Sequence, residues 1–454
     1  MARRETRRPA ARPLAAAAAT HIDRLRRQAA AEAQAGRPRR ALAACRALLT
    51  LQPDRPDIPA FAGTLALHAG DAEEAVALYR RALALRPDFV EVHYNLGNAL
   101  GALERPAEAV AAYGKALALR PDFMPAQHHL GNALRALGRL AEAVEAYRRA
   151  LALQQTAAGE RDLGIALHEL GRLDEAIAAF RRCLALPDHR ADVLSNLANA
   201  LMERGDRQGT IAACERILAL EPGNIEAWAL KALALNEQGD AGARVLLDFD
   251  RFVQIIDFTA PPPGYPSLDA FNAALAAHIE AHPTLKVPSK EHPTYHNDAL
   301  ELTGPLLGDA KAPMRAFETM IRGAIARYLD SVPRQPPHPF LQHFPKKWTL
   351  ASWATRLNGQ GNLDPHIHFT GYLGGVYYPL LPGIVARLDQ GGAGWFELGR
   401  PPERFHCAAA PLLRRIQPKE GRLLLFPGYF FHSTVPFIAN ERRISVAFDL
   451  MPRD

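Results

Sequence analysis

The stretch PDFVEVHYNLGNALGALERPAEAVAAYGKALALR, residues 87–120, is 34 residues long, and its outline recurs on both sides of it. The dipeptide Pro-Asp stands at 53–54, 87–88 and 121–122, at a constant spacing of 34. Two further sets of residues recur at the same spacing, with one step of 33. One set is Gly63, Gly97, Gly131 and Gly164, and the other is Ala41, Ala75, Ala109, Ala143 and Ala176. A period this regular predicts one structural unit repeated along the chain, with each copy stacked on the next.

The period and its contents resemble the tetratricopeptide repeat, which is a helix, a tight turn and a second helix. The small residues let the two helices approach closely, and Pro-Asp begins a new helix after the preceding one has ended. We predict about six repeats over residues 19–221 and a degenerate seventh to about 253. The resemblance implies an all-α solenoid whose concave groove binds a peptide or partner protein.

Composition divides the rest of the chain. Residues 1–18 are basic and Ala-rich, which predicts a disordered arm. Residues 254–345 carry the Pro-rich stretches TAPPPGYP and SVPRQPPHP around two amphipathic stretches, which predicts a helical connector packed on the C-terminal domain. Residues 346–454 are β-branched and aromatic runs punctuated by Gly and Pro, which predicts the strands of a β-sandwich or barrel.

The net charge of +6 does not indicate nucleic-acid binding. Residues 1–40 hold eleven Arg against three acids, a local charge of +8, so the remaining chain carries −2. No apolar run approaches the roughly 18 residues of a membrane span. The four cysteines (Cys45, Cys183, Cys214 and Cys407) lie far apart without a CxxC motif, which fits a reducing compartment. We therefore expect a cytoplasmic protein with no nucleic-acid or membrane partner.

The stretch DPHIHFTGYLGGVYYP, residues 364–379, places two histidines one residue apart. On a strand, residues i and i+2 face the same way, so His366 and His368 can address one point. A third histidine, His432, lies in FPGYFFHST, and Arg443 comes eleven residues later in RRIS on the next predicted strand. Each of these residues alone is common in ordinary cores and surfaces, but the ordered set on predicted strands favours a metal site.

This order resembles the iron(II)/2-oxoglutarate-dependent oxygenases, which carry an HxD/E pair, a distal His and, about ten residues later, Arg-x-Ser/Thr. Residues 345–452 are closer still to the bacterial 2-oxoglutarate oxygenase family often found behind tetratricopeptide repeats, through HIH, GVYYPLLP, GWFELG, GRLLLFPGYFFHSTVPF and RRISVAFD. The resemblance implies a double-stranded β-helix (jelly-roll) domain that binds Fe(2+) and 2-oxoglutarate. Where that family usually has Ser, this chain has Gly374 and Gly428.

The resemblance also implies roles for individual residues. The metal ligands would be His366, His368 and His432, because iron(II) takes imidazole and carboxylate ligands and leaves positions open for 2-oxoglutarate and O₂. An Arg fork suits the far carboxylate of the co-substrate. The predicted co-substrate residues are Arg443, Ser445, Asn358 and Tyr377, with Arg442 as the alternative cation and Arg356 as a same-face neighbour of Asn358.

One departure from the family pattern leaves the third ligand open. The family has a carboxylate where this chain has His368. The site could consist of three imidazoles, or Asp364 could supply the carboxylate in a reversed Asp-x-His. It could also consist of two histidines completed by water, as in the aspartyl/asparaginyl β-hydroxylases.

The sequence therefore predicts an iron(II)/2-oxoglutarate-dependent dioxygenase that hydroxylates a protein or peptide captured by the solenoid. The alternative is a non-catalytic repeat scaffold that keeps a degenerate oxygenase fold. A cupin-like enzyme of another class is a third possibility, and the Arg-x-Ser motif argues against it.

Overall fold

The computed structural model describes residues 12–187, 192–287, 300–308 and 311–453. The chain forms two compact units, Met1–Arg190 and Ala191–Asp454. The division falls inside the predicted repeat region, so the last repeats belong to the C-terminal unit. Of the arm predicted over residues 1–18, the first eleven residues lie outside the described part, and a helix begins at Arg12.

The N-terminal unit consists of antiparallel helix pairs, which confirms the tetratricopeptide-repeat prediction. The helices are α1 (Arg12–Gln34), α2 (Pro38–Leu51), α3 (Asp57–His68), α4 (Ala72–Leu85), α5 (Val90–Ala102), α6 (Pro106–Leu119), α7 (Met124–Ala136), α8 (Leu140–Leu153), α9 (Ala157–Glu169) and α10 (Leu173–Ala185). A Cβ on Gly97 would lie 2.4 Å from Cε1 of Tyr113 on the paired helix. The recurring glycine is thus the position where an aromatic ring of the second helix lies against the first.

The C-terminal unit begins with the remaining repeat helices and continues with shorter ones. They are α11 (Asp192–Arg204), α12 (Arg207–Leu220), α13 (Ile225–Glu237), α14 (Gly242–Leu246), α15 (Phe249–Phe252), α16 (Leu268–Glu280), α17 (Ala312–Ser331) and α18 (Pro339–Gln342). Side-chain caps begin several of them: Asn224 accepts a hydrogen bond from the N–H of Ala227, and Ser267 accepts one from Ala270. No helix in the described part of the chain has the length and apolarity needed to cross a bilayer.

The β-domain is built around two long paired strands. The strands of the domain are β1 (Gln254–Asp257), β2 (Leu300–Leu302), β3 (Trp348–His366), β4 (Leu373–Leu380), β5 (Phe396–Leu398), β6 (Arg414–Ile416), β7 (Arg422–Pro427) and β8 (His432–Pro452). The long pair is β3 and β8. Most of the other strands extend the sheet on either side of this pair, and β5 and β6 add a smaller region beside the beginning of β8. The antiparallel order is β1-β7-β4-β8-β3-β2, and β5 pairs with both β6 and the beginning of β8. Register shifts after Asn358 let β3 and β8 bend from one region into the other. This arrangement confirms the predicted fold class.

Helices cover one face of the larger sheet, as the prediction of flanking helices requires. Phe271 of α16 and Phe317 of α17 lie against Tyr377 of β4, with ring centroids 6.3 and 5.6 Å apart. The Tyr377 hydroxyl donates to Oδ1 of Asn272, also on α16. The opposite face of this sheet is therefore the one available for a site.

The loop between β5 and β6, residues 399–413, is fastened to the last repeats within the same unit. The Glu237 carboxylate at the end of α13 accepts hydrogen bonds from the N–H groups of Ala408 and Ala409, both at 2.9 Å. Arg207 of α12 donates to the carbonyl oxygen of Phe405 at 3.1 Å. These contacts fix the β5–β6 loop on α12 and α13.

Candidate metal centre

Three histidine rings converge where β3 ends and β8 begins. His366 is the last residue of β3, and the register places it opposite His432, the first residue of β8. His368 lies two residues beyond the end of β3, and its ring centroid is 5.4 Å from that of His366 and 4.8 Å from that of His432. One nitrogen of each ring lies within 4.8 Å of the other two. The rings of His366 and His368 thus turn to one side, although His368 lies beyond the strand on which the same-face argument relied.

The hydrogen bonds of these rings set which nitrogen can bind a metal. Nδ1 of His366 donates to the carbonyl oxygen of Asp364 at 2.7 Å, and Nδ1 of His432 donates to that of Phe430 at 3.0 Å. A carbonyl oxygen only accepts, so Nδ1 carries the proton in both rings and Nε2 carries the lone pair. Such outer hydrogen bonds orient imidazole ligands in metal sites. Neutral imidazole nitrogens suit divalent transition metals, so this donor set fits iron(II).

The third ring has a carboxylate partner that the sequence patterns did not lead us to predict. Nδ1 of His368 lies 2.6 Å from Oδ1 of Asp449, a residue of β8 that is 4% exposed. The backbone of Gly371 closes over this carboxylate, since a Cβ there would lie 2.4 Å from Cγ of Asp449. Asp449 has the same strand parity as Arg443 and Ser445, and that alternation could have identified it.

The side chain of Asp364 does not join the three rings. It is exposed, and its Oδ1 accepts a hydrogen bond from Nδ2 of Asn362 at 2.7 Å. Its backbone oxygen accepts the hydrogen bond from Nδ1 of His366. The geometry therefore supports three imidazoles with a carboxylate behind one of them, rather than a reversed Asp-x-His pair.

Burial keeps His432 in the neutral form that a metal ligand needs. Its side chain is buried, and its pKa is lowered well below the usual value by desolvation and then by the neighbouring His366 and His368. His366 and His368 are only partly buried. The candidate centre therefore has one histidine in the core and two toward an opening.

A buried cation lies beside the three rings. Arg443 is 1% exposed, and its Nη1 donates to Oγ of Ser445 at 3.3 Å. In the described part of the chain its guanidinium has no carboxylate partner, and its Nε and the hydroxyl of Tyr378 have no hydrogen-bond partner. Burial lowers the pKa of Arg443 and raises that of Tyr378 to about 12. A buried charge without a counter-ion is costly, so this position fits an anionic ligand.

These groups share one cavity with the metal centre. Its lining includes the three histidines together with Arg443, Ser445 and Tyr378. The ring centroid of Tyr378 lies 5.3 Å from Cζ of Arg443. An anion held by Arg443 would therefore lie in the same space as the Nε2 atoms.

Two predicted co-substrate residues lie on the wrong face. Leu357 and Thr355 are the residues paired with Arg443 and Ser445, so Asn358 faces away, and its Nδ2 donates to Glu301 of β2 at 2.6 Å. Tyr377 is covered by α16 and α17, whereas its neighbour Tyr378 faces the cavity. This corrects the prediction that Asn358 and Tyr377 bind the co-substrate.

The two remaining candidate arginines on these strands lie outside the cavity. Arg356 pairs with Glu301 across β2 and β3. Arg442 pairs with Glu280 of α16 at 2.6 Å, and its side chain is 54% exposed. Arg443 is thus the arginine that faces the three rings.

Gly374 and Gly428, which stand where the family usually has serine, both have close neighbours. A Cβ on Gly428 would lie 1.7 Å from the carbonyl oxygen of Gly371, so no side chain fits there. A Cβ on Gly374 would lie 3.0 Å from the ring of Phe426, one of the residues that line the cavity. Gly371 therefore packs against both Gly428 and Asp449.

Comparison with known families agrees with both parts of the chain. Residues 351–449 match the family described as "Putative 2OG-Fe(II) oxygenase". Four tetratricopeptide-repeat families match residues 67–104, 90–123, 122–187 and 167–234. The chain therefore combines tetratricopeptide repeats with a C-terminal domain of this oxygenase family.

Solved structures are similar to part of the chain. PilF of Pseudomonas aeruginosa is 20% identical and covers 48% of this chain and 99% of its own, with a TM-score of 0.40. YrrB, described as a TPR protein with an unusual peptide-binding site, is 19% identical and covers 38% of this chain and 91% of its own, with a TM-score of 0.35. At these values the similarities carry no functional information. No curated protein matches the chain at a significant level.

Proposed function

We propose that the protein is an iron(II)/2-oxoglutarate-dependent dioxygenase that hydroxylates a protein or peptide recruited by its repeats. The observation that carries this proposal is Arg443, a buried guanidinium without an anionic partner among the described residues, in one cavity with three converging imidazoles. The match of residues 351–449 to the oxygenase family supports it independently.

Each residue of the site has a defined task in this proposal. His366, His368 and His432 would hold iron(II) through Nε2, and Asp449 would orient His368. Arg443 would pair with a carboxylate of 2-oxoglutarate, with the hydroxyls of Ser445 and Tyr378 as further donors. When bound together, iron(II) and 2-oxoglutarate supply the O₂ activation that hydroxylates a C–H bond and yields succinate.

The substrate and the location complete the proposal. Stacked helix pairs present an extended concave surface that suits a peptide or a protein segment better than a small molecule. The four cysteines form no disulfide with one another, and three of them are buried, which supports a reducing, cytoplasmic compartment.

Succinate formation tests the enzymatic assignment. The full-length protein with iron(II), 2-oxoglutarate and O₂ should release succinate, and His432→Ala should abolish this release. His282→Ala is the matched control, because this partly buried ring lies beside His278 and bonds to Thr284 at 2.8 Å, outside the three converging rings. If the wild-type protein neither binds 2-oxoglutarate in calorimetry nor forms succinate, the protein is the non-catalytic scaffold instead.

A further inference from the structure

The metal centre opens into a cleft of about 590 Å³ that the last repeats and the β-domain build together within the C-terminal unit. One part of its wall comes from α11 and α13, through Asn199, Glu226 and Leu230. Another part includes His366 and His368. A substrate C–H bond presented to the metal would therefore lie between these walls.

Most of the cleft's large side chains are apolar. Trp353 lies on β3 before His366, and Phe369 directly follows His368. Phe405 of the β5–β6 loop and Phe431 of the turn before β8 also line the cleft. Phe369 is 62% exposed although it is the residue directly after His368. Such surfaces bind aliphatic or aromatic groups by removing them from water.

Among the described residues that line the cleft, Asp449 and Arg404 have side-chain partners of opposite charge or a histidine partner, and Glu226 has no cationic one. Asp449 accepts from His368, and Arg404 pairs with Glu203 at 3.4 Å. The carboxylate of Glu226, which is partly buried, accepts from Nδ2 of Asn199 at 2.8 Å. Among the described residues, 12–187, 192–287, 300–308 and 311–453, no cation lies within ion-pair distance of Glu226. Glu226, in the first turn of α13, is thus an acid without a cationic side-chain partner among the described residues, on an otherwise largely apolar wall.

We infer that the substrate segment carries a cationic group on an aliphatic stem, a lysine or arginine side chain, and that Glu226 is the residue that selects it. The cation would pair with Glu226, and its methylenes would lie along the apolar side chains of the cleft. This inference rests on the proposed function, since it names the substrate class of the same site. Specificity then comes from a repeat helix rather than from the β-domain.

The test measures peptide binding without metal or co-substrate. Three fluorescein-labelled pentapeptide libraries with randomised flanks carry Lys, norleucine or Glu at the central position. We expect the Lys library to bind the full-length protein about tenfold more tightly than the norleucine library, the scale of one charge-assisted hydrogen bond. In Glu226→Gln, which keeps an acceptor for Asn199, the preference should fall to about twofold or less.

Glu215→Gln is the matched control. Glu215 lies on α12 outside the cleft, pairs with Lys231 at 2.9 Å and has a 59% exposed side chain. This variant loses the same charge and should keep the preference for Lys. The inference is overturned by equal binding of the Lys and norleucine libraries, by tighter binding of the Glu library, by no binding of any library, or by an undiminished Lys preference in Glu226→Gln. A Lys preference without succinate formation would overturn only the enzymatic assignment, and succinate formation without the preference would overturn only this inference.

Discussion

Replacing Asp449 with Asn should weaken metal binding although Asp449 is not itself one of the three converging histidines. The carboxylate accepts the Nδ1 proton of His368 and so keeps Nε2 of that ring unprotonated toward the centre. An asparagine removes the negative charge behind the ring. Its amide can also turn its NH₂ group toward Nδ1, which would place the proton on Nε2 and block ligation.

The contact distance and its burial determine the size of the effect. The two atoms are 2.6 Å apart, and the side chains of His368 and Asp449 are 12% and 5% exposed, so water screens the pair little. Loss of such an outer partner typically lowers metal affinity 10- to 100-fold. At about 1.4 kcal/mol per tenfold, this corresponds to roughly 1.4–2.8 kcal/mol.

Titration of the metal-free protein with cobalt(II), monitored by visible absorption, measures the change. Asp364→Asn is the control, because Asp364 is the other acid beside the histidines and its side chain lies outside the three rings. Its affinity for cobalt(II) should equal that of the wild type. The reasoning is refuted if Asp449→Asn binds cobalt(II) like the wild type, or if both variants lose affinity equally, provided that all three proteins melt at similar temperatures.

Three further outcomes can be measured. Arg443→Ala should weaken 2-oxoglutarate binding by roughly 2–4 kcal/mol in calorimetry and leave cobalt(II) bound. Arg442→Ala, on the helix-covered face, should change neither 2-oxoglutarate binding nor cobalt(II) binding. The reverse pattern would contradict the assignment of Arg443 to the co-substrate. His368→Asp should lower cobalt(II) affinity, because the new carboxylate would lie close to the buried one that now accepts from this ring, and an increase would show that the carboxylate of the usual family site can be restored. Gly97→Ala should lower the free energy of unfolding in urea by about 1–3 kcal/mol, because a Cβ there would meet the ring of Tyr113. Gly114→Ala has open space at its Cβ and should be neutral or stabilising by up to about 1 kcal/mol. Equal effects of the two changes would contradict the packing argument.

The parts of the structure that keep a strict period could be predicted from sequence. The 34-residue spacing marks each close approach of paired helices, so the repeat fold could be predicted without tertiary information. The i, i+2 rule likewise predicted that His366 and His368 face one side, which they do although His368 lies beyond the end of β3. Both predictions depend only on local geometry, which the chain encodes directly.

The predictions for Tyr377 and Asn358 were wrong because local geometry does not distinguish the two faces of a strand. Nearly all of β4 is buried, because helices cover one face and the cavity lies behind the other, so alternation could not choose between Tyr377 and Tyr378. Asn358 immediately precedes a register shift, and its face is set by the pairing of β3 with β8 rather than by its own strand. Asp449 shares the parity of Arg443, but its role depends on the position that His368 takes beyond the end of β3.

The hydrogen bonds of Glu237 to the β5–β6 loop determine which repeats can be exchanged. Repeats that contact only their neighbours can be gained, lost or swapped between proteins, and each change alters only what the solenoid recognises. Helix α13 does not have this freedom, because replacing it would remove the hydrogen bonds of Glu237 to Ala408 and Ala409 and take Glu226 from the cleft wall. A chimaera that fuses new recognition repeats to this β-domain should therefore retain α11 to α13 and join the two sequences before residue 192, upstream of the Pro-rich segment.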